Sequence, residues 1–87
     1  MTEDIQQLRK KVDTVDEQIL NALAEREKIC RAIGLIKKKK GLKIRDTARE
    51  SEVFARVKEK AVKLHLNPLK VEAVYREIVN MCSAVQE

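Results

Sequence analysis

Apolar residues recur over the first 40 positions of the chain in alternating steps of three and four. This spacing places them on one helix face, in the heptad pattern by which helices pack together. No proline interrupts the stretch, which predicts one helix from about Thr2 to Lys40, ended by Gly41. An internal glycine costs a helix about 1 kcal/mol relative to alanine, so Gly34 indicates a close approach by another element. The apolar face comprises Ile5, Leu8, Val12, Val15, Ile19, Ala22, Ile29, Ile33 and Ile36.

A second helix is predicted after a short connection. Asp46 and Thr47 are both good N-cap residues, and Thr47 and Glu50 have the spacing of a capping box. The helix should then run to about Leu64. Its predicted inward face comprises Val53, Phe54, Val57, Ala61 and Leu64.

The third helix follows a break at His65-Leu66-Asn67. Asn67 is suited to the N-cap, and Pro68 to the first helical position. The predicted inward residues are Val71, Val74, Tyr75, Ile78, Val79, Cys82 and Val85. With no strand pattern, linker or repeat, residues 1–87 are predicted to form one all-α domain of three helices.

The length of the first helix predicts a dimer. A helix of about 38 residues is about 57 Å long, whereas a compact domain of this size is only about 30 Å across. About half of the helix would project with its apolar face in water. A second, antiparallel copy would cover it, giving an intertwined homodimer. A kink near Gly34 or Gly41 is the alternative, and it would shorten the projection without removing it.

Composition limits the remaining possibilities. Apolar residues make up 44% of the chain, which is enough for a core and argues against disorder. No apolar run is long enough for a membrane span, and the N-terminus lacks the apolar region of a secretory signal, so we expect a cytoplasmic protein. Two cysteines and one histidine are too few for a zinc site. Cys30 and Cys82 are therefore expected to be reduced core thiols, although a disulfide is possible.

Charged and polar residues occur where the predicted helices face inward. Arg26 replaces an apolar residue on the first helix, and Lys37 lies on the same face about 16 Å further along. Arg49 and Glu50 lie beside the inward face of the second helix, and Gln86 ends the apolar stripe of the third. Together they predict a cationic pocket for a small anion with several carboxylates or phosphates. Alternatively, Arg26 reaches solvent or pairs with a neighbouring carboxylate such as Glu25 or Glu50.

A basic segment supports a different interpretation. Positions 28–45 contain eight basic and no acidic residues, within a chain of net charge +5. Such a segment could contact nucleic acid or an acidic membrane, or be a solvated helix end. With one Phe, one Tyr and no Trp, stacking on bases is not supported, so neither nucleic acid nor membrane is the expected partner. No nucleophile has an evident activating partner, which indicates chemistry driven by electrostatics and confinement, with no metal or cofactor.

Three segments carry a resemblance to a known enzyme family. The first, LRKKVDTVDEQILNALAEREKICRAIGLIK, contains L-R-x-x-[IV]-D-x-[IV]-D, then A-E-R, then a lysine eleven positions after that arginine. The second is the IRDTARE turn, with R-D-x-x-R-E, and the less specific third is the final helix ending in Gln86. Over essentially its whole length the chain resembles the all-helical chorismate mutases. This implies an intertwined three-helix homodimer and the Claisen rearrangement of chorismate to prephenate, on the route to phenylalanine and tyrosine.

The resemblance also implies a role for each matching residue. Arg9 would enter the partner's active site, and Arg9 and Arg26 would hold the two carboxylates of chorismate. Lys37 and Gln86 would donate hydrogen bonds to its ether oxygen. The remaining members of the implied site are Arg49 in the cationic wall, Glu50 accepting from the ring hydroxyl, Asp46 helping through its backbone, and Cys82. Cys82 is a departure, because some members have a hydroxyl there near the ring carboxylate.

Two alternatives to a mutase remain open from the sequence. An isochorismate pyruvate-lyase shares the fold, the cationic pocket and pericyclic chemistry, although the mutase-like turn and Glu50 favour the mutase. The other alternative is a non-enzymatic helical dimer that binds nucleic acid or a protein through its basic segment.

Overall fold

A computed structural model describes residues 4–87 and places three helices in them: α1 is Ile5–Lys40, α2 is Thr47–Lys63 and α3 is Pro68–Gln86. All regular structure in this part of the chain is helical, as the sequence predicts. The predicted start of the first helix at Thr2 lies outside the described residues. None of the three helices is long and apolar enough to cross a membrane.

Local side-chain chemistry determines both ends of α1. Asp4 is the N-cap, and it forms a reciprocal capping box with Gln7. Gly41 ends the helix in the left-handed conformation, at φ 66°. The amide of Leu42 then donates to the Lys37 carbonyl at 2.8 Å, which satisfies one of the last carbonyls of the helix.

The start of α2 differs in detail from the prediction. Asp46 is the N-cap, and its side chain accepts from the Arg49 amide at 3.0 Å. The predicted capping box between Thr47 and Glu50 is wrong, because Thr47 is already helical and both Glu50 carboxylate oxygens accept from Arg45. An arginine in the preceding loop thus takes the carboxylate away from the helix end.

The start of α3 follows the prediction. Asn67 is its N-cap and accepts from the amides of Leu69 and Lys70, with Pro68 in the first turn. His65 lies in the break before it at a φ of 60°, so the chain reverses there between α2 and α3.

α3 packs against both of the other helices, whereas in the part of the chain that is described no Cα atom of α1 lies within 8 Å of one in α2. The core between α2 and α3 comprises Val53, Val57 and Val79, with Phe54, Val71 and Tyr75 against it. Two residues predicted to face inward are exposed, Leu64 at 55% and Val74 at 60%. Leu64 comes after the last helical residue of α2, and Val74 lies beside the α3 face that carries Val71 and Tyr75.

An ion-pair cluster joins α2 to α3 beside this core. Lys58 and Arg76 both donate to the Glu72 carboxylate, at 2.8 and 3.1 Å. These hydrogen bonds, that from Lys58 first, hold the pKa of Glu72 below its usual range. Arg76 also lies over the ring of Phe54, 4.7 Å from its centre. The cluster therefore ties the polar rim of the α2–α3 contact to its apolar interior.

α1 projects from the protomer. The molecule measures 59 × 24 × 15 Å, and its radius of gyration is 16.4 Å. A compact chain of this length would have a radius of gyration of about 12 Å. The helix runs uninterrupted through Gly34, so the alternative of a kink there is wrong. Most of its apolar face is in water: Ile5, Leu8, Val12, Val15, Ile19, Ile29, Ile33 and Ile36 are all exposed.

Only Cys30 and Gly34 of α1 are buried, and both meet α3. Cys30 forms a disulfide with Cys82, with the two Cα atoms 5.4 Å apart. The expectation of two reduced thiols is therefore corrected, because inward faces of α1 and α3 bring the two residues within bridging distance. The disulfide closes a long loop between α1 and α3. In the chain-entropy account, the lost freedom raises the free energy of the unfolded chain by about 4 kcal/mol.

Candidate active site

All three helices contribute to one cavity of about 420 Å³. It gathers every residue assigned to the site from the sequence except Arg9, which lies exposed on the projecting part of α1. Those that line it are Arg26, Lys37, Asp46, Arg49, Glu50, Cys82 and Gln86. Residues from 26 to 86 thus converge on a space of ligand size.

Lys37 and Gln86 form the centre of the polar wall. The Lys37 ammonium donates to Gln86 Oε1 at 2.8 Å and to the backbone carbonyl of Ile44. An ammonium has no acceptor, so its bond fixes which end of the Gln86 amide carries the oxygen. The nitrogen end points away from Lys37, and Nε2 donates to Cys82 Sγ at 3.1 Å. One N–H of Lys37 and one of Gln86 remain for a ligand.

Gly34 permits this arrangement. A Cβ added there would lie 2.9 Å from the Cα of Gln86 and 3.0 Å from its Cβ and Cγ. The close approach that the internal glycine indicates is therefore made by the last turn of α3. Because the nearest atom belongs to the backbone, a side chain at position 34 could be accommodated only if that turn moved.

Arg26 is half-buried in the opposite part of the wall. Its Nη1 lies 3.7 Å from Cys30 Sγ, one helical turn away. Pairing with Glu25 or Glu50, considered from the sequence, does not occur, and among the described residues Arg26 forms no ion pair. A partly buried guanidinium that pairs with no carboxylate in the described part of the chain favours an anionic ligand.

Glu50 is held from outside the cavity. Both of its carboxylate oxygens accept from Arg45 Nη1, at 3.1 and 3.0 Å. Arg45 also donates to Asn80 Oδ1 on α3. The Glu50 carboxylate is thus oriented by an arginine that joins the loop, α2 and α3, and it keeps lone pairs that can accept from a ligand hydroxyl.

Two other polar residues of the cavity, Asp46 and Arg49, differ in how firmly their side chains are held by other residues. The Asp46 side chain is occupied as the cap of α2. Arg49 pairs with Glu52 at 3.2 Å, and the two side chains are 58% and 69% exposed. So exposed an ion pair is worth little, which leaves Arg49 able to exchange Glu52 for a ligand anion.

Sequence reasoning missed several lining residues. Arg56 also lines the cavity, seven positions after Arg49, a spacing that keeps both on one face of α2. Ser83 is buried in the wall beside Cys82 and offers a hydroxyl next to the position where the resemblance implied one. The apolar part of the wall comprises Ile29, Ile33, Ile44, Val53 and Val79. Such a wall lowers the local dielectric and strengthens each polar contact in the cavity.

The cavity thus combines four cations with two carboxylates, one of which is already paired with Arg45. It is suited to a small, multiply charged anion that also carries a hydroxyl. Within residues 4–87, no group of three or more His, Cys, Asp or Glu is arranged to hold a metal ion.

A cationic cavity enclosed by three helices is what the resemblance to the all-helical chorismate mutases implies, and comparison with known proteins tests the family. The family model of chorismate mutase type II matches residues 8–87, and the chain belongs to this family. The prediction made from its motifs is confirmed.

Similarity to individual proteins supports the same family assignment. The chain is 35% identical over 88 residues to the bifunctional chorismate mutase/prephenate dehydratase of Aquifex aeolicus, covering 98% of this chain and 24% of that protein. It is 34% identical over 59 residues to the chorismate mutase of Methanocaldococcus jannaschii, covering 68% of this chain and 60% of that one. A solved conserved hypothetical protein from Pyrococcus furiosus superposes over the full length of both chains, with a TM-score of 0.76 and 31% identity.

The Gly34 contact generates a prediction. Alanine at a helix-interior glycine normally adds about 1 kcal/mol of helix propensity. In Gly34→Ala the new methyl should instead displace the last turn of α3 and break the Lys37–Gln86 hydrogen bond. NMR should then show the Gln86 side-chain amide shifted, and thermal unfolding should show no gain in stability.

The control for this change is Ala24→Ser, which adds one atom at an exposed position of α1 almost three turns before Gly34. It should leave the Gln86 amide signals where they are. An unshifted Gln86 amide in Gly34→Ala, together with a raised unfolding temperature, would contradict the close packing described here.

Proposed function

We propose that this protein converts chorismate to prephenate. The observation that carries the proposal is the joint presentation, in one cavity, of Arg26, which forms no ion pair within residues 4–87, and of remaining N–H groups on Lys37 and Gln86. Membership of the chorismate mutase type II family supports it. The chain spans about a quarter and 60% of the lengths of the two named relatives, so their activities are taken over here as part of the proposal.

Binding would supply the first part of the rate enhancement. Chorismate carries two carboxylates, and its flexible enolpyruvyl arm must fold over the ring before the new bond can form. Arg26, and an arginine from a second copy, would hold the carboxylates so that the arm is confined to the reactive conformation. Arg49 and Arg56 add to the positive potential of the same wall. A unimolecular pericyclic step then needs no nucleophile from the protein.

Electrostatic stabilisation would supply the second part. As the C–O bond breaks, negative charge develops on the ether oxygen. The remaining N–H of Lys37 and that of Gln86 would donate to this oxygen, and both bonds strengthen as the charge grows. Because Lys37 already orients the Gln86 amide, little reorganisation is needed when the substrate reacts. One such donor is typically worth about 3–4 kcal/mol.

Glu50 would recognise the ring hydroxyl. Its carboxylate faces the cavity while Arg45 holds both oxygens from behind. The hydroxyl would donate to a remaining lone pair of Glu50, with the backbone at Asp46 alongside. Ser83 or a water would take the place of the hydroxyl that Cys82 lacks.

A second copy would complete the site. The exposed apolar face of α1 runs from Ile5 to Ile36, with its midpoint near position 20. If two α1 helices cross antiparallel at that midpoint, facing positions sum to 41, and Arg9 of one lies level with position 32 of the other. Position 32 is about 9 Å along the axis from Arg26 and about 8 Å from Lys37. A single antiparallel register would therefore both bury the apolar face and bring Arg9 to the cavity of the second copy.

The activity is tested directly with purified protein and chorismate. Loss of chorismate absorbance with formation of prephenate is the expected result, and isochorismate should not be turned over comparably. Salicylate and pyruvate formed from isochorismate would instead identify a pyruvate-lyase. The reaction belongs to the route to phenylalanine and tyrosine, and we place it in the cytoplasm.

Sharing of the site predicts complementation between variants. Arg9→Ala and Arg26→Ala should each be nearly inactive, because each removes one carboxylate-binding arginine from every site. After subunit exchange, a mixed dimer has one site with both defects and one intact site. An equal mixture should therefore recover about a quarter of the wild-type activity, and light scattering should show dimers throughout.

A mixture of Arg26→Ala and Lys37→Ala provides the control. Both residues come from the same chain, so every site in a mixed dimer lacks one of them and no activity should return. If the Arg9→Ala and Arg26→Ala mixture also stays inactive although subunits exchange, Arg9 does not act across the interface.

The orientation of Gln86 predicts a pH dependence. An amide does not titrate, so the wild-type kcat should be flat between about pH 5 and 8. In Gln86→Glu the new carboxyl can donate to the ether oxygen only when protonated, and the neighbouring Lys37 favours its ionised form. The ratio of variant to wild-type kcat should therefore be low at neutral pH and rise in acid, below about pH 5.

Gln86→Ala should lose activity at every pH, by up to about 10²–10³-fold. Asn21→Asp, the same change of amide to carboxylate at an exposed position of α1, is the control and should keep the wild-type profile. If Gln86→Ala and Gln86→Glu both stay within about twofold of wild type at every pH, the role assigned to Gln86 is wrong.

A further inference from the structure

The Cys30–Cys82 disulfide occupies an unusual place for a structural crosslink, because it forms part of the cavity wall. Both cysteines line the cavity that contains Lys37 and Gln86. A much smaller pocket, lined by Leu23 and Met81 among others, reaches the same two cysteines. The bond thus lies at the site.

Its position along the two helices relates it to Gln86. On α3, Cys82 lies one turn before Gln86, whose Nε2 donates to Cys82 Sγ at 3.1 Å. On α1, Cys30 lies one turn before Gly34, the residue against which the backbone of Gln86 packs. The disulfide and the Gly34–Gln86 contact therefore lie one helical turn apart along the same two helices.

Besides the disulfide, this end of α3 is held against α1 by the packing of Gln86 on Gly34 and by the Lys37–Gln86 hydrogen bond. Cys30 and Gly34 are the only buried residues of α1, and no Cα atom of α2 lies within 8 Å of one in α1 among the described residues. α3 ends at Gln86, and its last turn contains no basic side chain to satisfy the terminal carbonyls. The last turn of a helix frays readily unless tertiary contacts hold it. Here the nearest covalent tether is the disulfide.

We propose that the Cys30–Cys82 disulfide is a positioning element of the active site, which holds the last turn of α3 so that Gln86 meets Lys37. The proposal rests on the proposed function for its kinetic consequence. Reduction by a dithiol breaks the S–S bond and gives two thiols, while the reductant is oxidised to its own disulfide. The last turn of α3 then moves away from α1, and the ether-oxygen donor is lost.

Kinetics of oxidised and reduced protein test this. Thiol titration in denaturant should find no free thiols before dithiol treatment and two afterwards. At a temperature where circular dichroism shows full helicity in both forms, reduction should lower kcat for chorismate at least tenfold and change KM much less. Two free thiols in protein that has never met a reductant, or an unchanged kcat after complete reduction, would overturn the proposal.

The Gln86→Ala variant separates positioning from general support. If the disulfide acts through Gln86, then reduction of Gln86→Ala should cause little further loss of kcat. An equal loss in Gln86→Ala and wild type would show that the bond only supports the fold, and would overturn the proposal. Cys30→Ala/Cys82→Ala, treated with the same reductant, controls for effects elsewhere: its kcat should be low and insensitive to the dithiol.

Two further measurements keep the test decisive. If reduction unfolds the protein, the double variant Cys30→Val/Cys82→Ala is measured in place of the reduced protein. It should be helical and have a low kcat. A helical variant with wild-type kcat would count against the proposal. The side-chain amide signals of Gln86 should shift on reduction whether or not chorismate is a substrate. A shift without any turnover would refute the proposed function alone, and unshifted signals would refute the positioning role.

Discussion

The contact between α1 and the last turn of α3 is the constraint on which the rest of the molecule depends. α1 has only two buried residues, Cys30 and Gly34, and both meet α3 there. Helices can approach this closely only where one lacks a side chain. The glycine therefore sets the distance at which Lys37 reaches the Gln86 amide, and this distance closes one side of the cavity.

That contact also explains how a cationic wall is tolerated in a small protein. Arg26 and Lys37 lie on one helix, and their repulsion is not relieved by ion pairs among the described residues. Lys37 is instead solvated by a carbonyl and an amide oxygen, and Arg26 stays half exposed. The charges thus avoid the penalty of full burial and stay available to a ligand. Such a wall is least stable when empty, so an anion that fills it stabilises the folded chain as well.

Local signals were sufficient to predict much of this structure. Gly41, Asn67 and Pro68 define helix ends by short-range chemistry, and the steps of three and four identify the helix faces that converge on the cavity. Features that depend on how separate helices approach each other were not accessible. The partner of Glu50 is chosen by the path of the loop that carries Arg45, and the disulfide by the angle between α1 and α3. Arg56 was missed for a different reason. Its spacing of seven from Arg49 is visible in the sequence, but nothing there distinguishes it from an ordinary exposed arginine.

The projecting half of α1 joins assembly to chemistry. In the single protomer Arg9 lies exposed outside the cavity, and most of the apolar face of α1 is exposed as well. In the proposed antiparallel dimer, burial of the face from Ile5 to Ile36 would also bring Arg9 level with the partner's cavity. In that dimer, the apolar residues near the centre of α1 would influence the reaction by setting the position of Arg9, without touching the substrate. The heptad spacing along α1 would fix the register of the proposed dimer, and this register would fix where the partner's Arg9 lies.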